Sequence, residues 1–454
     1  FTRTIYPDRN NPSASIHATV GGHLFVVKLD PNGNLIWAAQ TNSTNHNTRI
    51  TPYDIEIGPN GNVYVSGVVK GTGVIANAYI SGGTSFTTDG NAFLLKLDTL
   101  GNYVMHQQMS GSSSSLFHGL AIDQQENIYA AGLIGGQTYY THPVHGRVNL
   151  STAGRTDIII CRFQANGDYD WLHVLGGGEF DTGNDVALDG HGNLYVTGNF
   201  SLTTDFDPDT TSFSLTADGS GQYDLPNIFM ARYKVNGDFD WVKQFGTFNR
   251  DEGVTIIVDD SSNIYLGGHF ELSADFDPGT PVETLYAYGD EETFVAKYDS
   301  LGNFIWAEEL GGNGIDLGED MYLDALGNIY ATGTFSTNFL YDRSSSNPPF
   351  VAAAGGTDFY IAKFVQKVNV VGLESLQNET VKIYPNPTTE ILNIDLGNEH
   401  FEQLRILDIQ GKLVFEQALN QAKTVQLNIK LKPGIYTVQL INQKGSKHQK
   451  VLFH

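Results

Sequence analysis

The chain of 454 residues contains one cysteine, Cys161. A single thiol closes no intramolecular disulfide, and no Cys-x-x-Cys pair or zinc-ligand spacing exists. A large β core does not need such staples, even in a secreted protein. No run of about 18 apolar residues occurs, so no helix spans a membrane. Positive charge is scarce: 26 Lys and Arg face 50 Asp and Glu, a formal charge of −24. A surface of that sign repels phosphate backbones and argues against nucleic acid as a partner. Catalytic signatures are missing as well. There is no His-Glu-x-x-His, no close His pair on a predicted helix, no Gly-x-Ser-x-Gly and no readable Ser-His-Asp order. Gly176-Gly177-Gly178 and Gly311-Gly312 are followed by no helix, so they are not phosphate loops. The thirteen His, among them His142, His145, His191 and His269, read as scattered surface or turn residues.

What is present is glycine, 50 of 454 residues, and 11% aromatics, in a chain with only 17% charged residues. With many Gly-Asn turns, this composition points to an all-β protein and not to disorder. A repeat of about 66 residues organises the first 365. Pattern A is an apolar strand with one cation, a Gly turn and an aromatic strand, as in Phe25-Val26-Val27-Lys28-Leu29-Asp30-Pro31-Asn32-Gly33-Asn34-Leu35-Ile36-Trp37. Its cation recurs at Lys28, Lys96, Arg162, Arg232, Lys297 and Lys363, in steps of 68, 66, 70, 65 and 66 residues. Pattern B runs from Asp54 through Gly61 to Gly67, and its tyrosine recurs at Tyr64, Tyr129, Tyr195, Tyr265 and Tyr330. Each pattern is two short alternating strands around a turn whose Asn and Gly tolerate positive φ. One period is therefore four antiparallel strands, and radial repetition of four strands is a propeller blade. Gly67, Gly132, Gly198, Gly268 and Gly333 recur where strands must approach closely. A solenoid of the same period ranks below.

Phe1 to Asp8 resembles Phe335 to Asp342, so the chain enters its first repeat after the place of a pattern B hairpin. The expected architecture is a six-bladed β-propeller over residues 1–365 with a truncated first blade and five whole ones. Seven blades stay open if more precedes. Residues 366–380 are polar and aperiodic, a linker. Residues 381–454 alternate again as about seven short strands, an expected small immunoglobulin-like β-sandwich. Charge divides at the same place. Residues 366–454 carry ten Lys/Arg and eight Asp/Glu, a net of +2, which leaves −26 on the repeats.

Three motifs in the terminal module carry a family resemblance. They are Tyr384-Pro385-Asn386-Pro387, Leu407-Asp408-Ile409-Gln410-Gly411-Lys412, and Lys432-Pro433-Gly434-Ile435-Tyr436-Thr437-Val438 with the tail Lys450-Val451-Leu452-Phe453-His454. In that order they resemble the type A C-terminal sorting domain of the type IX secretion system. The residues matching the family's motifs are Pro385, Asn386, Pro387, Asp408, Gly411, Lys412, Gly434, Tyr436, Lys450, Val451, Leu452, Phe453 and His454. His454 departs from the commoner basic or small ending. Each also reads as a turn or strand residue of a small sandwich. The resemblance implies export through the periplasm and outer membrane of a Gram-negative bacterium. Its implied partners are the type IX translocon, its outer-membrane shuttle barrel and a sortase. The sortase cuts near the linker and attaches the product to surface lipopolysaccharide or leaves it free. Such a protein needs a signal peptide, and none is read from Phe1 onward, so the sequence is expected to be processed or incomplete. The repeats resemble the SBBP-type β-propeller repeat of secreted bacterial proteins.

Asp205-Phe206-Asp207-Pro208 and Asp275-Phe276-Asp277-Pro278 recur at one place in successive repeats. Carboxylates at i and i+2 share one side of an extended segment. They would contribute to a calcium site only with several further oxygens. The plainer reading is a loop in which Asp caps backbone N–H groups, and no cofactor is expected. The turns Asp30 to Asn34 and Asp324 to Asn328 lack the later ligands of a calcium loop and read as hairpin turns. The six cations are expected to pack their stems between strands or blades and to pair with carboxylates such as Asp54, Asp185, Asp320 and Asp324, or with carbonyls. Taken together, the expectation is a secreted, non-enzymatic binding propeller with an unknown protein or glycan ligand. The rivals are a glycan lyase or hydrolase with its site at the propeller mouth, since propellers host enzymes too, and a structural component of a surface assembly.

Overall fold

The computed structural model describes residues 4–7, 15–17, 22–41, 49–75, 84–111, 114–142, 146–209, 212–218, 225–247, 249–277, 279, 282–324, 326–340, 350–364, 381–384, 388, 391–396, 400–408, 412–419, 422–442 and 445–453. They are strands and turns throughout, in two compact units, Phe1–Gln366 and Lys367–His454. The linker at 366–380 lies outside the described residues.

In the first unit the repeats appear as successive antiparallel sheets. The second repeat is Arg49–Ile57, Val63–Ile75, Thr84–Leu97 and Tyr103–Gly111, and the third is Ser115–Ile122, Ile128–His142, Gly146–Phe163 and Tyr169–Leu175. These two join edge to edge through Met109–Gly111 and Thr138–Tyr140 into one curled eight-stranded sheet. The fourth is Thr182–Leu188, Asn193–Phe200, Asn227–Lys234 and Phe239–Phe245, and the fifth is Asp251–Val258, Ile264–Asp275, Thr284–Tyr298 and Phe304–Leu310. The sixth has three strands, Asp316–Leu323, Ile329–Phe335 and Asp358–Phe364, and the first has two, Phe25–Leu29 and Leu35–Gln40. Five whole repeats were expected. The sixth differs because no Asp-Gly turn and aromatic strand follow Phe364, and the residues beyond it lie outside the described set.

Three local rules build each sheet. The first is a bulge in the innermost strand, at Pro52/Asp54, Gly183/Asp185, Gly253/Thr255 and Gly318/Asp320. It drives a carbonyl of that strand into its neighbour. A Cβ on Gly67, Gly132, Gly198, Gly268 or Gly333 would stand 2.0 to 2.2 Å from such an oxygen, so only glycine fits. The second is the turn. Asp30 Oδ1 accepts from the amides of Asn32 and Asn34 at 2.8 Å, and Oδ2 accepts from Asn34 Nδ2. Asp98, Asp123, Asp189, Asp259, Asp299 and Asp324 do the same with Asn102, Asn127, Asn193, Asn263, Asn303 and Asn328. The third places the repeat cation directly across from the repeat tyrosine: Tyr64–Lys96, Tyr129–Arg162, Tyr195–Arg232, Tyr265–Lys297 and Tyr330–Lys363.

Burial then follows between repeats. Ile158 and Ile160 of the third pack with Val186, Leu194 and Val196 of the fourth. Ile228 and Met230 meet Ile256 and Leu266 of the fifth, and Val295 meets Met321, Ile329 and Ala331 of the sixth. Among the described residues, these cores each draw on two neighbouring repeats.

The second unit is built once. Lys382–Tyr384, Ile391–Asp395 and Thr424–Asn428 form one sheet, and Gln403–Leu407, Leu413–Ala418, Gly434–Asn442 and Gly445–Phe453 form another. Leu392, Ile394 and Leu427 of the first share a core with Leu404, Ile406, Val438, Leu440, Val451 and Phe453 of the second.

Candidate functional site

The innermost strands of the repeats surround a cavity of about 1070 Å³. Every repeat contributes to its wall: Phe25, Asp54 to Glu56, Leu120 to Ile122, Asp185 to Leu188, Thr255 to Ser261, and Asp320 to Asp324. The residues ten before each repeat tyrosine are Asp54, Gly119, Asp185, Thr255 and Asp320. Carboxylates therefore come from alternate repeats. Asp54 Oδ2 accepts from Leu120 N at 2.7 Å, and Asp185 Oδ2 accepts from Ile256 N at 2.8 Å, each tying its strand to the next repeat. Thr255 Oγ1 donates to Asp320 Oδ1 at 3.4 Å. A Cβ on Gly119 would stand 2.5 Å from Asp185 Oδ1, so the small residue in one repeat makes room for the acid in the next.

These acids were expected to pair with the repeat cations between strands or blades, and they do not. Asp54, Asp185 and Asp320 do not meet the repeat cations, because the bulge just before each turns it toward the next repeat and the cavity. Burial, with repulsion from Asp54 and Asp320, pushes the Asp185 carboxyl well above the usual range. Asp54 and Asp320 are raised too, chiefly by burial. Glu56 is pushed up to about 7 by burial, then by Asp54 and Asp320.

Tyr53 lines the cavity, and beside it lie side chains that differ between repeats. Tyr53 and His118 make an edge contact at 4.7 Å. His118 Nδ1 lies 3.2 Å from Gly183 O, and Asn184 Nδ2 donates to Gly253 O at 2.8 Å. Beyond it Glu252 pairs with Arg250 and lies 3.6 Å from His269 Nε2. Burial lowers His118 and His269, so neutral imidazole is favoured at both. His269 was read as a scattered histidine; only its contact with Glu252, from the neighbouring strand, shows its setting. His191 meets Ser262 Oγ at 3.1 Å, while His145 lies outside the described residues.

The repeat cations do not line the cavity, and four of the six stand over their own tyrosines. Lys96, Arg162, Lys297 and Lys363 stand 5.1, 5.5, 4.8 and 4.7 Å from the ring centres of Tyr64, Tyr129, Tyr265 and Tyr330. Arg232 lies over Trp241 at 5.3 Å. Their polar partners vary: Asp170 for Arg162 at 2.8 Å, Asp240 for Arg232 at 2.7 Å with Ser300 O besides, and Tyr330 Oη for Lys363 at 2.6 Å. Of the four acids expected, Asp324 alone meets a cation, Lys363 at 3.9 Å. Lys28 is exposed on the edge of the first repeat. Lys96 is the buried case, 2.9 Å from Glu126 of the next repeat. Glu126 also accepts from Asn62 Nδ2 at 2.9 Å, the role Asp plays in the Asp–Asn turns above. The second repeat has Gly58 there, and Glu126 Oε1 lies 3.2 Å from where its Cβ would stand. A neighbour thus supplies the missing carboxylate, at positive φ (62°). Sequence reading passed over Glu126; the signal was Gly58 in the place of Asp.

The paired carboxylates serve their own loops. Asp205 Oδ1 accepts from Asp207 N and Phe213 N, and Asp275 Oδ1 from Asp277 N and Glu283 N. Asp207 and Asp277 accept from Asp209 N and Gly279 N. Phe206 and Phe276 are buried between them, and their carbonyls accept from the buried Tyr233 and Tyr298 hydroxyls at 2.8 and 2.9 Å. Among the described residues no group of three or more His, Cys, Asp or Glu is arranged to hold a metal ion.

In the terminal unit Asp408 Oδ1 accepts from Lys412 N at 2.9 Å and closes a hairpin turn. Tyr436 donates to Lys432 O at 3.0 Å and packs edge-on to Phe453 at 5.4 Å. The tail is an edge strand: Lys450, Val451, Leu452 and Phe453 pair with Thr437, Tyr436, Ile435 and Gly434. Pro385, Asn386, Pro387, Gly411 and His454 lie outside the described residues.

Residues 382–454 match the family model of the secretion system C-terminal sorting domain. That domain marks a type IX cargo, secreted or held at the cell surface, of Bacteroidetes-type bacteria. Over 87% of its length the chain is 22% identical to an uncharacterized WD repeat-containing protein of Acanthamoeba polyphaga mimivirus, and it spans 32% of that protein. Over 26% of its length it is 25% identical to an endo-acting ulvan lyase of Formosa agariphila, spanning 23% of that enzyme. The chain thus spans about a third or less of the curated relatives it matches. A solved protein of unknown function from Bacteroides caccae aligns with 74% of this chain and 94% of its own at 9% identity, with a TM-score of 0.29 that carries no argument.

Proposed function

We propose that the protein is a type IX cargo whose repeats form a six-bladed β-propeller that binds a protein or glycan at its central cavity without catalysis. The carrying observation is the cavity itself, walled by all six repeats and fringed with acids and aromatics. Similarity to a WD repeat-containing protein supports the propeller, as do cores shared between neighbouring repeats. In the same reading the terminal unit is an immunoglobulin-like sandwich that engages the translocon, shuttle barrel and sortase, and the product is surface-attached or released. The acidic wall favours ligands that are neutral or cationic. A glycan and protein array probed with the full chain and with Asp185→Leu tests this. Loss of a wild-type signal in the variant supports the cavity, and an unchanged signal sends the binding elsewhere.

A second reading is a glycan lyase or hydrolase. The unlike residues Tyr53 at the cavity and His118, Glu252 and His269 beyond it favour it, since residues that only hold blades together recur in each. Chain cleavage of the arrayed polysaccharides, lost in His118→Ala, would put this reading first. A calcium requirement at Asp205/Asp207 and Asp275/Asp277 is the weaker cofactor reading, open to calorimetric titration.

A further inference from the structure

The same repeat positions are buried everywhere except on either side of one gap. The residues four and two before each repeat cation are Ala92/Leu94, Ile158/Ile160, Ile228/Met230 and Thr293/Val295, and none is more than 1% exposed. Leu24/Val26 of the first repeat are at 3% and 6%. Their counterparts in the sixth repeat, Phe359 and Ile361, are 76% and 67% exposed. The inner-strand position held by Leu120, Val186, Ile256 and Met321 is at most 7% exposed, yet Ile55 of the second repeat is 55% exposed. In the six-bladed ring proposed above, on which this inference rests, both apolar faces look at the place of one element. In the first repeat Phe25–Leu29 pairs only with Leu35–Gln40 among the described residues, so its inner pair of strands has no counterpart there.

We infer that this gap is a docking site for one β-hairpin of the repeat's own inner-pair chemistry, entering from the N-terminal side of Phe25–Leu29. The established interfaces state what must fill it. Val295 is covered by Met321, Ile329 and Ala331 of the next repeat's inner pair, so Phe359 and Ile361 need apolar side chains at those three places. The incoming second strand must carry tyrosine opposite Lys28, as Tyr64 stands opposite Lys96, and a glycine three residues later, as Gly67 follows Tyr64. The polypeptide source follows from chain order: in each complete repeat the inner pair precedes the outer pair. Exposed apolar faces flanking an open strand edge otherwise invite aggregation.

The test fuses residues 316–334, the sixth repeat's inner pair, directly before Phe1 of the full chain. The parent chain and a fusion of the same residues in scrambled order are the controls. The inference predicts a melting temperature about 5 °C or more above both, and slower amide exchange in Arg49–Ile57 and Asp358–Phe364. Ile55→Asp or Phe359→Asp in the fusion removes the gain, while in the parent either one changes little. Equal melting and exchange in fusion, scramble and parent overturns the inference. A parent that is a stable dimer, dissociated by Phe359→Asp, overturns it too, because a second copy then covers the faces.

Discussion

The repeats and the terminal unit reach a buried core by different routes. In the repeats one solution is used again and again: Tyr opposite a cation, Asp holding a turn, Gly where a bulge carbonyl intrudes. In the terminal unit two small sheets close one core, and no position has a second copy. The difference gives a rule for reading function. A residue that recurs in every repeat answers a need of the sheet, so the cations and turn acids are architecture. Residues that break the recurrence, such as the alternating Asp54, Asp185 and Asp320 or Tyr53 and His118, are where binding should be sought. In the terminal unit recurrence cannot help, and only family resemblance separates address from scaffold.

The sharpest break of this contrast is the tail. Deleting residues 450–454 removes Val451 and Phe453 from the terminal core together with the last four residues of the edge strand. Surface delivery, read by whole-cell immunoblot, should fall to background while the melting transition of the repeats stays put. Delivery that persists would mean the tail is scaffold alone.

Within the repeats, Gly198→Ala should cost about 3 kcal/mol, because its Cβ would stand 2.0 Å from Thr182 O. Gly190→Ala, with nothing within 4 Å, should leave the denaturant midpoint in place. A smaller contrast separates two cations of one position. Lys96→Met leaves Glu126 buried without its partner and should cost about 3–5 kcal/mol, and adding Glu126→Gln should return much of it. Lys363→Met, at an exposed pair, should barely move the midpoint.

The smallest effect is with pH. Asp54, Asp185, Asp320 and Glu56 hold protons more tightly folded than unfolded, Glu56 up to about 7. Their contribution is present below the raised values and is lost as pH rises through them. Asp98, Asp189 and Asp299 are lowered despite partial burial, because hydrogen bonds in their turns favour the charged form. Their contribution is lost as pH falls through the depressed values. The repeats should therefore melt highest near pH 5 to 6 and lower at pH 8, and Glu56→Gln should flatten the slope across pH 7. A melting temperature that rises steadily from pH 5 to 8 would contradict this.

How much of this the sequence announced depended on range. The hairpins and their turns were legible, because period-2 alternation and Asn-Gly turns act over a few residues, whereas the register that sets each Tyr opposite its cation was not read. The terminal motifs were legible by resemblance. What was hidden depended on which repeat faces which. The bulge reverses the direction of Asp54, Asp185 and Asp320, and no alternation count shows a bulge. Glu126 answers Gly58 across a repeat boundary, and Glu252 meets His269 only once two strands pair.

The account rests on a division of labour, with the address wholly in the terminal unit and recognition wholly in the repeats. The most direct test puts a signal peptide before a fluorescent protein and residues 366–454 after it, in a host with a type IX secretion system, and measures surface fluorescence against the native cargo. The account predicts display on the cell surface without any repeat. Fusion protein trapped in the periplasm while native cargo is exported would contradict it.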